Sequence, residues 1–377
     1  MPRPSYGFLS TSPPTPCGLA TFTSALGSAL SLQGADVFVV RVLDAPEAPS
    51  ASPLPVVADL VASDPSSIDR AVDALNTSDV VFIQHEYGLY GGRDGSDVLK
   101  VLRGLRVPAV AILHTVLAAP TPHQIEVLNE VLKSVDAVVV MTKRAEATLH
   151  QVNDVGSTSV AVIPHGAALG QPKERRRFGV RPRLLTWGLI GPGKGIEWVI
   201  DAMVDLKDLS PAPLYVIAGR THPKVLAHEG DIYRQSLINR VAANNVGDMV
   251  QFDNSYRDLN SLNELIRSAD VVVLPYDSKD QATSGVLVDA VAAGRPVIAT
   301  PFPHAVELLS TGAGILVDHA DVAGLSTALR RVITESKVAA DMATEARRIA
   351  PRLSWRAVAH QYNTLTSDLL LRIRINA

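Results

Sequence analysis

The chain has 377 residues, which is too long for one ordinary hydrophobic core and suits two domains of middle size. Hydrophobic residues make up 47% of the sequence and charged residues 19%, a balance typical of a globular enzyme and unlike a disordered or fibrous chain. The formal net charge is −3, so no overall positive field favours binding to nucleic acid.

The sequence lacks the features that would indicate secretion or a membrane span. Cys17 is the single cysteine, which rules out an internal disulfide. The first residues, MPRPSYGFLSTSPPTP, have no continuous apolar stretch of the signal-peptide type, and no apolar run approaches the roughly 20 residues that span a bilayer. The basic run at residues 173–177 (KERRR) favours a solvated linker, with an acidic membrane surface as the alternative. We therefore expect a cytoplasmic protein whose membrane association is at most peripheral.

Short apolar runs alternate with amphipathic segments along the chain, and each run is rich in β-branched residues and bounded by Gly, Pro, Asp or Ser. Six runs in the first half predict buried strands at residues 6–9, 37–42, 80–83, 109–113, 137–141 and 160–163. Six in the second half predict strands at residues 184–187, 215–218, 250–252, 271–274, 297–299 and 315–317. Helical periodicity occurs between them at residues 124–132, 196–203, 284–293 and 325–333, and a long final helix is predicted over residues 355–373.

Continuous apolar strands that alternate with helices indicate parallel sheets covered on both faces, so the sequence predicts an α/β fold with two doubly wound domains. Residues 166–183, rich in Gly, Pro and charge, form the expected linker. The first domain is expected over residues 1–168 and the second over 169–353. Ligands bind beyond the carboxyl ends of such strands, and two facing domains would leave a cleft between them. Functional residues are therefore expected just after the strands.

One such segment is WGLIGPGKG, residues 187–195, which follows the first predicted strand of the second half. Its four glycines allow close backbone approach, and Lys194 stands where a helix is expected to begin. Backbone N–H groups at a helix start favour phosphate, and the ammonium adds a positive charge. The alternative is a structural glycine turn with a surface lysine, since the segment is neither a Walker loop nor G-x-G-x-x-G.

A second segment, PYDSKDQATSGVLVDAVAAGRP at residues 275–296, follows another predicted strand and contains a helix start. Its candidate ligand-binding residues are Gln281, Ser284, Gly285, Val286 and Asp289. The amides at the helix start suit a phosphate or a sugar oxygen, and the side-chain acceptors suit a ligand rich in hydroxyl groups. A loop with ordinary helix caps is the alternative.

Taken together, the two segments resemble the retaining GT-B glycosyltransferases of family 4. The usual pattern of that family is a carboxylate, seven residues, and a second carboxylate just before an A-x-A-x-G-x-P-V run. Matching on Gly294 places Gln281 at the first carboxylate and Asp289 at the second. The resemblance implies that Asp289 binds the ribose of the nucleotide and that Gln281 binds the donor sugar. A glutamine accepts and donates hydrogen bonds, but it supplies no negative charge near the anomeric carbon.

The phosphate-binding residues depart from the family in one respect. An arginine commonly stands five residues before the lysine, and that position is Leu189 here. Arg220, directly after a predicted strand, and Arg234, on the next helix, are candidates to replace it, and Arg220 has the better position. Each can equally be a surface or ion-paired arginine. Lys194 with such a partner would neutralise the leaving diphosphate. The donor-binding set that the resemblance implies also contains the glycines Gly18, Gly191 and Gly193.

The first half contains weaker matches. Gly18 lies in PTPCGLA, which resembles the family's N-terminal glycine loop. His114, after a strand, matches the histidine that family members place near the donor sugar, although a satisfied structural histidine is the alternative. His165 in IPHG resembles the interdomain turn and is expected to be structural. Residues 354–377 resemble the closing segment that returns to the first domain. The segment QHEYGLYGG follows another buried strand, and its residues His85, Glu86 and Tyr87 are candidates to bind the acceptor substrate.

The resemblance implies transfer of a hexose, with mannose or glucose favoured, from a GDP- or UDP-sugar to a saccharide, a lipid-linked carbohydrate or another hydroxyl acceptor. Catalysis is assigned to His114, Lys194 and Gln281. No cofactor is expected, and activity is expected to be metal-independent because the sequence has no Asp-x-Asp motif. A GT-B sugar phosphorylase, a nucleotide-sugar epimerase and a non-catalytic sugar-binding protein are the alternatives.

Overall fold

The computed structural model describes residues 3–15, 17–48, 51–62, 64–169, 180–255, 257, 259–278 and 281–376. The basic run at residues 173–177 and most of the expected linker lie outside these ranges. The chain forms two compact units: Met1–Gly166 together with Trp355–Ala377, and Ala167–Ser354. Among the described residues, no helix is both long and apolar enough to cross a membrane.

The first unit contains a parallel sheet whose described strands follow the order β3-β2-β1-β4-β5-β6-β7. The strands are β1 Ser5–Ser10, β2 Asp36–Leu43, β3 Val56–Val61, β4 Val80–His85, β5 Ala109–Leu113, β6 Ala137–Val140 and β7 Ser159–Val162. The helices are α1 Gly18–Leu32, α2 Ser66–Leu75, α3 Val98–Gly104, α4 Pro122–Lys133 and α5 Lys143–Val152.

The second unit contains another parallel sheet, with the strand order β10-β9-β8-β11-β12-β13. Its strands are β8 Arg183–Trp187, β9 Leu214–Ala218, β10 Val250–Asp253, β11 Val271–Leu274, β12 Val297–Ala299 and β13 Gly314–Leu316. Its helices are α6 Ile196–Ala202, α7 Pro223–Glu229, α8 Ile232–Ala243, α9 Leu259–Ser268, α10 Gly285–Ala292, α11 Pro303–Leu309, α12 Val322–Thr334 and α13 Ser336–Ile349.

All twelve predicted strands are present, with ends that differ by no more than two residues, and helices lie between successive strands of both sheets except between β2 and β3. The predicted α/β fold with two doubly wound sheets is confirmed. Strand β11 shows why the strands are apolar throughout: Val272 and Leu274 pack into one buried cluster, and Val271 and Val273 pack into another. A strand between two helical layers must bury both of its faces.

The expectation of about six strands in the first half was wrong by one, because β3 was not predicted. This strand is at the edge of the sheet, pairs only with β2, and is partly exposed. Its sequence contains Asp59, whose carboxylate accepts from Arg41 on β2 at 2.8 and 3.0 Å. An edge strand with a charged residue in its middle lacks the continuous apolar run that marks the buried strands.

The final helix, α14 Trp355–Asn376, belongs to the first unit and runs three residues beyond the predicted end. Tyr362 of this helix packs edge-on against Phe82 of β4, and both rings are buried. The Tyr6 hydroxyl on β1 hydrogen-bonds Asn363 Oδ1 at 3.0 Å and Thr366 Oγ1 at 2.9 Å. The helix therefore completes the core of the first sheet.

The strand order locates the ligand-binding edge of each sheet. In a doubly wound sheet, the crevice lies beyond the carboxyl ends of the two strands at which the order reverses. These strands are β1 and β4 in the first sheet and β8 and β11 in the second. Both segments of the second half that resemble family 4 begin at the ends of β8 and β11.

Candidate functional site

The glycine loop after β8 is held against the loop after β11. The backbone N–H of Asp277 donates to the carbonyl of Gly193 at 2.9 Å. Gly195 begins helix α6 in a left-handed conformation, with φ of 61°. A Cβ atom at Gly195 would lie 1.8 Å from the carbonyl oxygen of Pro275, so only glycine fits where the two loops meet. Lys194 is thereby placed at the crevice of the second sheet.

Lys194 is partly buried over an aromatic ring. Its Nζ lies 4.3 Å from the centroid of the Tyr276 ring, and this ring stacks on Phe302 at 5.3 Å. Burial lowers the pKa of the Lys194 ammonium, and no carboxylate among the described residues pairs with it. A partly desolvated cation over a π-face, without a paired anion, is a favourable place for an anionic ligand.

The loop after β9 adjoins the glycine loop. The N–H of Ile190 donates to the carbonyl of Arg220, and the N–H of His222 donates to the carbonyl of Ile190, both at 2.8 Å. These two bonds place Arg220 beside the loop that carries Leu189 and Lys194. The side chain of Arg220 is exposed.

The other candidate arginine, Arg234, is buried and forms part of the scaffold. Its guanidinium donates to Gly219 O at 2.6 Å, Asn254 Oδ1 at 2.5 Å and Thr221 Oγ1 at 3.2 Å. These bonds fix the loop that carries Arg220. Of the two candidates, Arg220 is the one presented at the surface.

The N-terminus of α10 is the second phosphate- or sugar-binding candidate. Ser284 is its N-cap, and its Oγ accepts from the N–H of Leu287 at 3.2 Å. The amides of Gly285 and Val286 are in the first turn, where the helix provides no acceptor. Gln281 is partly exposed, its Nε2 donates to the carbonyl of Thr283 at 3.2 Å, and no described residue donates to its Oε1.

Asp289 lies one turn into α10 and retains a little exposed surface. Burial raises the pKa of its carboxyl from the ordinary 3.8 to about 7. No hydrogen-bond donor or cation among the described residues contacts this carboxylate. A largely buried carboxylate that receives no hydrogen bond from the described residues destabilises the fold unless a ligand supplies donors.

At the first sheet, Gly18 begins helix α1 after β1, and Cys17 is the N-cap, with its Sγ accepting from the N–H of Ala20 at 3.4 Å. A Cβ at Gly18 would meet no atom of the described residues within 4 Å, so these residues leave space beside the helix start. An open helix N-terminus at a strand-order reversal can receive an anion.

His114 follows β5 and is fixed by its neighbours. Its Nε2 lies 2.5 Å from Gln84 Oε1, which accepts the proton of this nitrogen, and its ring packs edge-on against Phe22 at 4.8 Å. Burial, together with nearby His165 and His85, lowers the pKa of His114 to about 3. The imidazole is therefore neutral at physiological pH, with Nδ1 as its remaining acceptor.

The three residues assigned to an acceptor differ in accessibility. His85 is buried, and burial lowers its pKa to about 4. Glu86 Oε2 accepts from Thr115 Oγ1 at 2.5 Å, and Glu86 Oε1 accepts from the N–H of Tyr87 at 3.1 Å. Burial, with the charges of Glu86 and Asp94, raises the pKa of Tyr87 to about 12. Glu86 and Tyr87 are thus partly accessible at the end of β4, whereas His85 packs edge-on against Tyr87 at 5.1 Å.

The structure therefore groups the candidate residues by sheet. The second sheet brings together Lys194, Gly191, Gly193, Arg220, Gln281, Ser284, Gly285, Val286 and Asp289, and the first sheet holds Gly18, His85, Glu86, Tyr87 and His114. Sequence reasoning missed Tyr276, His304 and Gln84, whose contacts are all tertiary. In the part of the chain that the structure describes, no group of three or more His, Cys, Asp or Glu side chains is arranged to hold a metal ion.

Comparison with known proteins bears on the second unit first. Residues 171–349 match the family model described as Glycosyl transferases group 1. The chain is also 28% identical over 247 residues to the D-inositol 3-phosphate glycosyltransferase of Salinispora arenicola (strain CNS-205). That match covers 60% of this chain and about half, 53%, of the relative.

Solved structures show the same fold over the whole chain. The sucrose-phosphate synthase from Thermosynechococcus elongatus superposes with a TM-score of 0.77 at 20% identity, covering 98% of this chain and 100% of that one. Anabaena HepE in complex with UDP gives a TM-score of 0.74 at 19% identity, covering 97% and 100%. The fold is of the GT-B type, with two Rossmann-like units.

Proposed function

We propose that the protein is a glycosyltransferase that takes its sugar from a nucleotide-diphosphate donor. The observation that carries the proposal is the crevice at β8 and β11, where partly buried Lys194 has no carboxylate partner among the described residues. Beside it is the N-terminus of α10, whose first-turn amides have no acceptor within the helix and suit an anion or a sugar oxygen. The match of residues 171–349 to the glycosyl transferases group 1 model supports the assignment.

In this proposal, the diphosphate is bound by the loop after β8. Lys194 supplies one positive charge, and the backbone around Gly191 and Gly193 allows the phosphates to approach closely. Arg220 supplies the second charge, because its loop is hydrogen-bonded to Ile190, next to the position where the family has its arginine. Two cations stabilise the charge that develops on the leaving diphosphate.

In the same proposal, Asp289 binds the ribose of the donor and Gln281 binds its sugar. The carboxylate of Asp289 has no protein donor among the described residues and would accept from the two ribose hydroxyls. Gln281 and the amides of Gly285 and Val286 would hold the sugar and its phosphate oxygens. The resemblance to family 4 implies this division, and the spacing along α10 agrees with it, since Asp289 lies a turn beyond the amides of the helix start.

We further propose that the transfer retains the anomeric configuration, as the resemblance to family 4 implies. The C1–O bond to the diphosphate breaks, the bond from C1 to the acceptor oxygen forms on the same face, and the acceptor proton passes to the leaving phosphate. The protein binds the reactants in position, neutralises the leaving group and excludes water. His114, neutral at physiological pH, is proposed to accept a hydrogen bond from the donor sugar and to carry no charge.

A hexose donor is proposed, with glucose or mannose on UDP or GDP. The likeness to HepE, which is solved with UDP-glucose, supports glucose on UDP. The acceptor is proposed to be a saccharide or a lipid-linked carbohydrate bound near Glu86 and Tyr87. Metal-independent transfer without a cofactor, in the cytoplasm, completes the proposal.

A thermal-shift screen of UDP-, GDP- and ADP-sugars tests the donor, because a true donor stabilises the fold in proportion to its affinity. The same screen on Lys194→Ala should lose most of the shift. Lys337→Ala, which removes an exposed lysine paired with Asp341, is the matched control and should keep it. A shift that is absent with every sugar nucleotide would favour a sugar-binding protein, and phosphate-dependent glycoside breakdown would favour a phosphorylase.

A further inference from the structure

His304, in the first turn of α11, contacts both ends of the 281–284 turn that precedes α10. Its ring Nδ1 accepts from the N–H of Ser284 at 2.8 Å, and its backbone N–H donates to the carbonyl of Gln281 at 3.4 Å. Only 4% of the His304 surface is exposed, so this residue contacts other protein groups and is not placed to bind a ligand directly. These two hydrogen bonds hold the two ends of the turn that begins with the proposed sugar-binding residue, Gln281.

The segment between β12 and α11 contacts the loop after β11 at a second point, Tyr276. Thr300 Oγ1 donates to the carbonyl of Tyr276 at 2.5 Å, and Phe302 stacks on the ring of Tyr276. That ring carries Lys194 on its face. His304 is therefore the part of this segment that contacts the Gln281–Ser284 turn, while Thr300 and Phe302 contact the residue beneath the lysine.

We propose that His304 is a positioning residue for sugar transfer, a role that rests on the glycosyltransferase function proposed above. The backbone N–H of His304 donates to Gln281 whatever side chain stands at 304, and the imidazole adds the bond from the N–H of Ser284 that fixes the other end of the turn and the direction of the first α10 amides. Asp289, a turn further along the helix, and Lys194, on another loop, do not depend on these two bonds. His304 thus acts on the sugar end of the donor and not on the nucleoside end.

The bond from Ser284 defines the chemical requirement at position 304. An imidazole nitrogen that accepts a hydrogen bond carries no proton, so the ring must be neutral with its proton on Nε2. The Oδ1 atom of an asparagine side chain can reach nearly the same position as Nδ1 and also accepts. His304→Asn therefore keeps the bond to Ser284, whereas His304→Leu removes it and leaves a buried N–H without a partner.

The test compares these two variants for donor turnover and for binding of the free nucleoside diphosphate. With His304→Leu, we expect kcat to fall at least about 10-fold, while calorimetric titration with UDP or GDP gives a Kd within about 2-fold of wild type. With His304→Asn, we expect most of the turnover to return. His150→Leu, at an exposed histidine of α5, is the matched control and should change neither value.

Several results would overturn the proposal. They are wild-type turnover by His304→Leu, an equal loss of nucleotide affinity and turnover, or a loss that His304→Asn does not restore while the melting temperature of both variants falls alike. If His304→Leu does not fold, His304→Ala takes its place with the same expectations. A wild-type protein that binds no sugar nucleotide and transfers no sugar would reject the proposed function and this role together, whereas an active wild type with an equally active leucine variant rejects this role alone.

Discussion

Replacing Asp289 by asparagine should stabilise the ligand-free protein and weaken its binding of nucleotide. Burial raises the pKa of this carboxyl from 3.8 to about 7, and no protein donor among the described residues compensates its charge. The folded state therefore keeps a proton on Asp289 up to about pH 7, whereas the unfolded state loses it near pH 4. Stability falls as pH rises through that window, since the folded state binds more protons there.

The magnitude follows from the size of the pKa shift. A difference of about 3 pH units, at about 1.36 kcal/mol for each, gives roughly 4 kcal/mol as the upper limit at pH 8. Asp289 retains some exposed surface, so solvent reduces this figure, and about 1–3 kcal/mol is the expected gain for Asp289→Asn. The gain should be near zero at pH 4 and grow towards pH 8, because asparagine does not titrate.

Nucleotide binding should change in the opposite direction. The ribose hydroxyls donate best to an ionised carboxylate, so binding lowers the pKa of Asp289 and releases a proton below pH 7. Wild-type affinity for a nucleoside diphosphate should fall as pH drops from 7 to 5. Asp289→Asn and Asp289→Ala should bind the free diphosphate and the intact donor about 10–100-fold more weakly at pH 8, by similar factors.

Denaturant unfolding at pH 5 and pH 8 gives the stability change, and calorimetric titration at both values gives the affinity. Asp248→Asn, at an exposed carboxylate of the same unit, is the control and should affect neither. Gln281→Ala should differ from the Asp289 variants by reducing turnover and donor-sugar choice with nucleotide affinity nearly unchanged. Unchanged nucleotide affinity in Asp289→Ala would end the ribose assignment, and a fall in stability at pH 8 for Asp289→Asn would show that a donor satisfies the carboxylate.

The remaining predictions concern phosphate binding, metal dependence and pH. Lys194→Ala should lower the rate about 10²–10³-fold with the fold intact, since a charge-assisted phosphate contact contributes about 2–4 kcal/mol, and near-normal turnover in a rate assay would contradict it. Activity should survive EDTA, and a complete loss restored by Mg²⁺ or Mn²⁺ would reveal a metal site. Gly195→Ala should abolish transfer and lower the melting temperature, because its Cβ would meet the Pro275 carbonyl at 1.8 Å. Three histidines whose pKa values burial lowers to about 3–4, His85, His114 and His165, should together make stability fall as pH drops from 6.5 towards 4, which denaturant titration across that range measures.

The strands and the two helix starts that form the crevice could be predicted because their signals are local. Buried parallel strands must be apolar on both faces. Each therefore appears in the sequence as a short continuous apolar run, rich in β-branched residues and bounded by turn residues. Ser284 before the apolar positions of α10 is an N-cap of the ordinary kind, and the cap bond to Leu287 is present. Strand β3 lacked that signal because an edge strand can tolerate Asp59, which Arg41 neutralises across the pair.

The residues that escaped prediction act across the fold. His304 stands 20 residues after Ser284 along the chain, and only the return of β12 beside β11 brings its imidazole to that N–H. Gln84 reads in the sequence as one more residue of a buried strand, yet its Oε1 selects which nitrogen of His114 carries the proton. No spacing rule links such pairs, because their distance depends on strand order and not on the sequence between them.

Family 4 commonly has an arginine where this chain has Leu189, and we propose that a cation on a neighbouring loop replaces it. A single lysine leaves much of the diphosphate charge unbalanced, so the loss of an arginine on the β8 loop requires a cation nearby. Parallel bridging of Ile190 with Thr221 places the β9 loop directly against the β8 loop, with Arg220 one residue from the bridge. The guanidinium of Arg234 donates hydrogen bonds to Gly219, Thr221 and Asn254, and these bonds fix the position of the β9 loop. We therefore propose that Arg234 serves as scaffold and that Arg220 supplies the charge.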